Sequence, residues 1–124
     1  MDYIFEIKDH AGIPVRLSHS VWKDKILAPS PKGHPEVEKY FGEAKGTIQN
    51  PDIVMESRQR KNVHLHYKVY DTGQNKRIFL TVTVVIKYLL ESNKKIGYVS
   101  TIYLTRKLMR GKLLWMHPSM KSLS

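Results

Sequence analysis

Residues 77–90, RIFLTVTVVIKYLL, decide how this chain folds. The run is apolar enough for a buried helix. Thr81 to Ile86, however, are all β-branched, and such side chains lose less freedom on a pleated strand than in a helix. We read the segment as the long central strand of a sheet. Before it, Val63, Leu65, Tyr67 and Val69 alternate with His64, His66, Lys68 and Tyr70, the pattern of a half-buried antiparallel strand with one polar face. Residues 71–75, DTGQN, supply the hairpin loop between the two. After it, Ser92-Asn93-Lys94-Lys95 is a second loop, and residues 97–105, GYVSTIYLT, form the next strand. Strict alternation places Thr101 and Tyr103 of that strand on the face of Val99. Short strands are expected at Ile53–Arg58 and Leu113–Met116, with a basic turn from Arg106 to Gly111.

The first third reads differently. Residues 2–7 and Pro14 to Ser18 suggest a hairpin around the turn Asp9-His10-Ala11-Gly12. Ser18 can cap a short helix whose inner face carries Trp22 and Ile26. Pro29, Pro31 and Gly33 mark a loop. A second helix starts at His34-Pro35, with Pro at a first helical position and Glu36 and Glu38 in the first turn. Val37, Tyr40, Phe41, Ala44 and Ile48 form its apolar face. The expected fold is α+β: one or two N-terminal helices packed on a four- to five-stranded antiparallel sheet. Residues 1–118 form one domain and 119–124 a tail.

The chain has 124 residues and a net charge of +10, unevenly distributed. Residues 1–43 carry seven acids and six bases, whereas residues 44–124 carry four acids and fifteen bases. Basic surplus on the sheet half favours a polyanionic partner, because clustered Lys and Arg release phosphate counterions on binding. There is no Cys, which removes disulfides, thiolate metal sites and cysteine nucleophiles. No apolar run reaches the roughly 20 residues needed to cross a bilayer. The opening MDYIFEIKD carries acids where a secretory signal has a basic flank, so a cytoplasmic location with no membrane partner is expected.

Phosphate-binding glycine loops, nucleophile elbows and HExxH motifs are absent from the sequence. His64-x-His66 puts two imidazoles on one strand face, with no third metal ligand in sequence reach, so the pair reads as facing solvent or nucleic acid. No metal or cofactor is expected. What remains is a toolkit of His, Arg, Lys, Tyr, Thr and Ser on a basic sheet. RNA suits it: the 2′-OH is an internal nucleophile, so cleavage needs only a base, an acid and cationic stabilisation. Lys87 interrupts the apolar central strand, either as an edge charge or as a phosphate ligand. Arg58, Arg60 and Lys61 form a phosphate-positioning strip or a solvated loop, and Arg106 and Lys107 extend the basic surface.

The succession Val15-Arg16-Leu17, Trp22, Ile26 and His34-Pro35-Glu36-Val37 resembles the opening of phage-associated domains of the barnase–EndoU–colicin–RelE-like (BECR-fold) nuclease superfamily. The likeness continues through Thr47-Ile48-x-Asn50-Pro51-Asp52, Tyr67, the apolar strand ending at Lys87, and Val99-Ser100-Thr101-x-Tyr103, covering about residues 14–116. The resemblance implies helices followed by a four-stranded antiparallel sheet and RNA cleavage without metal, often in a toxin or phage effector. It implies His34, Arg16, Thr101 and Tyr103 as catalytic residues and Trp22 as packing. Lys25 stands where the family often has His, and joins Arg58, Lys87, His64, His66, Arg106 and Lys107 as an RNA-binding candidate. The alternatives are an inactive nucleic-acid-binding module of the same fold, or a module whose basic face docks an acidic antitoxin or immunity-type protein.

Overall fold

A computed structural model describes residues 3–71, 79–106 and 111–121. Seven strands follow one another in the chain: β1 (Tyr3–Lys8), β2 (Pro14–Ser18), β3 (Ile53–Ser57), β4 (Val63–Asp71), β5 (Phe79–Glu91), β6 (Lys94–Thr105) and β7 (Gly111–Met116). Between β2 and β3 lie a π-helical turn at Val21–Ile26, a 3-10 turn at Pro35–Tyr40 and helix α1 (Phe41–Gln49). A short helix, α2 (Pro118–Lys121), follows β7.

All seven strands form one sheet, in the order β1-β2-β6-β5-β4-β3-β7. This corrects the expectation of a four- to five-stranded antiparallel sheet behind one or two N-terminal helices. The first hairpin is part of the sheet, because β2 pairs in parallel with β6 through Val15 opposite Gly97 and Arg16 opposite Tyr98. So short a non-local contact leaves no periodic trace. Gly97 permits it: a Cβ there would lie 2.8 Å from Ile86 Cγ2, 3.0 Å from Tyr88 Cε1 and 3.1 Å from Val15 Cγ2. The helical region is also shorter than its pattern suggested. The turn after Pro35 winds as a 3-10 helix, and α-helical geometry begins only at Phe41.

The central hairpin follows its sequence signals. Ser92 (φ 50°) and Asn93 (φ 66°) both occupy the left-handed region, as a tight two-residue turn matched to the strand twist requires. Leu80, Val82, Val84, Ile86 and Tyr88 of β5 point to the face that carries the helices, and Thr81, Thr83, Val85 and Lys87 to the other, here called the open face because the helices do not pack on it; Thr81, Thr83 and their β4 neighbours Val63, Leu65 and Tyr67 are buried there, and Lys87 is exposed. Val82, Val84, Ile86, Ile102, Leu17, Ile26, Val37 and Ile48 build the core between sheet and helices. Phe41 of α1 takes Trp22 edge-on at 5.2 Å between ring centroids and Phe5 at 5.9 Å. Tyr70 ties α1 to β4 by donating its hydroxyl to the Glu43 carbonyl at 2.7 Å.

The helices cover only part of their face. The remainder lies under the β1–β2 turn. Asp9, buried at the start of that turn, accepts Ala11 N–H (2.8 Å) and Ile13 N–H (2.9 Å) on Oδ1, and the Tyr88 hydroxyl (2.7 Å) on Oδ2. Tyr88 oxygen is also 3.1 Å from His66 Nε2. Since the tyrosine proton goes to Asp9, His66 donates from Nε2, which leaves Nδ1 as a bare acceptor in a fully buried ring. The polar side of β4 is therefore not solvated at His66. Burial, and secondarily the neighbouring His10, depresses its pKa from 6.5 to about 3.

Two stability measurements test this packing. Gly97→Ala should overpack the β2–β6 junction and cost about 1–3 kcal/mol in urea unfolding. The pH dependence follows from His66: it stays neutral in the folded protein but charges near pH 6.5 when unfolded, so the unfolded state binds more protons below that point. Stability should be full above pH 6.5 and fall as pH drops toward 3, at about 1.4 kcal/mol per pH unit. The slope between pH 6.5 and 5 should shrink in His66→Gln.

Candidate functional site

The open face is organised as rows running across the strands. Tyr67 of β4, Thr83 of β5 and Tyr103 of β6 stand in one register row. Leu65, Val85 and Thr101 form the next, and Val63, Lys87 and Tyr98 the third, which Arg16 of β2 extends. From Thr83 to Lys87 is four residues of strand, about 13 Å.

A bulge makes this alignment work. Val85 opposes Thr101 but Ile86 opposes Val99, so Ser100 is the extra residue. It keeps Tyr98 and Thr101 on one face although three positions separate them, and turns Val99 into the core, where it is 3% exposed. Thr101 and Tyr103 are therefore not on the face of Val99, as strict alternation had placed them.

His34 reaches the same region from the helical layer, with its ring centroid 5.7 Å from that of Tyr103. Although it occupies the N-cap of the 3-10 turn, its side chain makes no capping hydrogen bond. Instead Nδ1 lies 3.6 Å from Glu36 Oε1, and the ring remains partly exposed. Glu36 is thus a charged neighbour of the ring, beyond hydrogen-bond length. Tyr103 is half-buried; burial, together with hydrogen-bonded Tyr67, pushes its pKa up to about 12. It is a neutral hydrogen-bond donor at pH 7.

Beside Tyr103 a cavity of about 190 Å³ opens on this face, floored by Val63, Leu65 and Val85 and walled by Ser57, Gln59 and Arg60. Arg60, exposed in the β3–β4 loop, thus faces the Tyr103 side of the sheet. Exposed Lys87 stands opposite Val63 at the far end of the floor.

The other expected residues divide. Arg16 lies in the Lys87 row, but its charge is engaged: Nε donates to Glu6 Oε1 at 2.5 Å, and a terminal nitrogen lies 3.9 Å from Glu91 Oε2 and 3.3 Å from the Tyr98 hydroxyl. It is a tie between strands. Five residues of β6 separate its partner Tyr98 from Tyr103, so Arg16 and His34 sit at opposite ends of the row system. Arg58 and Arg106 are exposed at the ends of β3 and β6, and Lys25 is exposed on the π-helical turn. Lys107 lies outside the described residues.

His64 and His66 lie apart from the other RNA-binding candidates. They pair with Ile86 and Val84, on the helix-bearing face, and His66 is fully buried there behind the β1–β2 turn. Arg60, read from sequence as part of a phosphate-positioning strip or a solvated loop, comes beside Tyr103 through the path of the β3–β4 loop. Among the described residues no cluster of three or more His, Asp or Glu is arranged to hold a metal ion, and no helix is long and apolar enough to cross a membrane. Comparison with family models, characterised proteins and solved structures finds no match for this chain.

Proposed function

We propose that the open face binds RNA and cleaves it without a metal ion, as the likeness to BECR-fold nucleases implies. The observation that carries this reading is the alignment of His34, Tyr103, Thr101 and Lys87 on one side of β5 and β6, next to a cavity bordered by Arg60. The 2′-oxygen of a bound nucleotide attacks its own 3′-phosphorus, forming a cyclic phosphate as the bond to the 5′-oxygen of the next nucleotide breaks. His34, with the Glu36 carboxylate nearby, takes the 2′-proton, and the departing 5′-oxygen is protonated from water or from the neutral Tyr103 hydroxyl. Arg60 stabilises the doubly charged phosphorane, Thr101 donates a hydrogen bond to it, and Lys87, two rows away, holds a phosphate further along the RNA. Arg16 serves this site by fixing β2 to β6.

A second reading keeps the surface and drops the chemistry. It is favoured by Lys25, exposed where the related pattern often carries His. The protein then binds nucleic acid, or an acidic antitoxin, through the same cations.

Incubation with total RNA in EDTA separates the two. Cleavage should appear and fall roughly 100- to 10,000-fold in His34→Ala. Thr101→Ala should also lower it. Cleavage that survives both substitutions refutes the assigned roles, and binding without cleavage selects the second reading. RNA affinity should decline with salt, and Lys87→Ala and Arg60→Ala should each reduce the slope of log affinity against log salt by about one.

A further inference from the structure

The helix-bearing face holds a second group of reactive side chains that the proposed RNA site does not use. Below the β1–β2 turn lies a cavity of about 200 Å³, with Asp9, His10, His64, Tyr88, Lys95 and Trp115 in its lining. Its aromatic walls are two tilted pairs: His10 against Trp115 and His64 against Tyr88, each with ring centroids 4.7 Å apart. Ile13, Val54 and Leu114 complete an apolar lining. His66 backs both imidazoles, with its ring 5.6 Å from that of His10 and 6.4 Å from that of His64.

From this arrangement we infer a binding site for one nucleoside monophosphate. At about 200 Å³ the cavity has room for a single heterocyclic base. Flat aromatic and imidazole walls suit a planar ring, and imidazole nitrogens suit a base edge better than a hydrocarbon. Burial lowers the pKa of both His10 and His64, and Lys95 lowers that of His64 further, so both rings are neutral at pH 7 and can stack or share a proton. Asp9 carries no demand for a ligand cation, because its two oxygens already take three hydrogen bonds.

The anion has its own partner. Lys95 Nζ lies 5.4 Å from the Tyr88 ring centroid, where Tyr88 and Lys95 also border a neighbouring cavity of about 370 Å³ that includes Asn62. A base in the smaller cavity would place its sugar and phosphate toward this larger one, with Lys95 between them. The site does not depend on cleavage at the open face, which lies on the other side of the sheet.

The test is a titration of the full chain with AMP, adenosine and inorganic phosphate in turn, followed by the imidazole and indole resonances. AMP should shift His10, His64 and Trp115 saturably and leave Trp22 unmoved. Adenosine should do the same with about tenfold weaker affinity, because the charge-assisted contact to Lys95 is lost. Lys95→Met should reduce AMP to the level of adenosine without changing adenosine. Leu114→Trp, at an exposed wall position, should fill the cavity and abolish the shifts while the Trp22 resonance reports an intact core. The inference is overturned if millimolar AMP shifts none of the three residues, or if phosphate alone reproduces the effect. An AMP affinity indifferent to Lys95→Met, or shifts confined to Tyr103 and its neighbours, would also overturn it.

Discussion

The buried carboxylate of Asp9 fastens the first hairpin to the middle of the sheet. One oxygen closes the β1–β2 turn through two backbone N–H groups, and the other receives the proton of Tyr88, 79 positions later in the chain. A carboxylate this buried is costly unless its lone pairs are filled, and here both oxygens are engaged. The consequence is structural closure. The helical segments cover one part of the sheet face and the turn another, and between them His66 of β4 and Val82, Val84, Ile86 and Tyr88 of β5 are buried. The same bond orients Tyr88 and sets the tautomer of His66. Besides it, β2 is held by β1, by two register positions on β6, by the contacts of Arg16 to Tyr98 and Glu91, and by the core packing of Val15 and Leu17.

Much of this architecture is legible as pattern. Strands β4, β5 and β6 stand out by alternation and β-branched composition, and the turn at Ser92-Asn93 falls inside the four-residue loop read from sequence. What pattern does not carry is contact between distant segments. Asp9 reads as an ordinary turn residue because its partner lies 79 residues away. The parallel seam at Gly97 is too short to imprint periodicity. His64 and His66 look like the polar side of a half-exposed strand, since nothing local shows that a turn from the other end of the sheet lies over them. The seven-stranded sheet follows from these long-range contacts and was not visible in any single window.

The candidate site divides along the same line. Lys87 stands out as a charge in an apolar strand, whereas His34, Thr101 and Tyr103 are singled out by the resemblance. That Thr101 and Tyr98 share a face depends on Ser100, whose extra position inverts the faces upstream and downstream of it. Arg16 is legible as a cation, and its charge is engaged by Glu6, Tyr98 and Glu91. The register of the first hairpin sets Glu6 directly opposite Arg16, and opposite charges at that spacing attract across a strand pair. The turn at residues 9–12 was read correctly from sequence, so this pairing was already available there. Arg60, in contrast, acquires its place only when the β3–β4 loop closes beside Tyr103.

Both faces are drawn from the same strands, one residue out of step. On β5, Lys87 points to the open face while Tyr88 points to Asp9 and His66; on β4, Tyr67 and His66 divide in the same way. A one-residue slip would exchange the two sets and bury the lysine where the tyrosine belongs. Register is therefore what keeps cations and hydroxyls on one side and the histidine cluster on the other. Two features oppose a slip: the Tyr88–Asp9 bond, which no neighbouring residue of β5 can replace, and the close packing at Gly97, which admits no side chain. The hydrogen bond that closes the inner face also holds the outer one in alignment, so disturbing Asp9 should be felt at Lys87 and Thr101 without touching either.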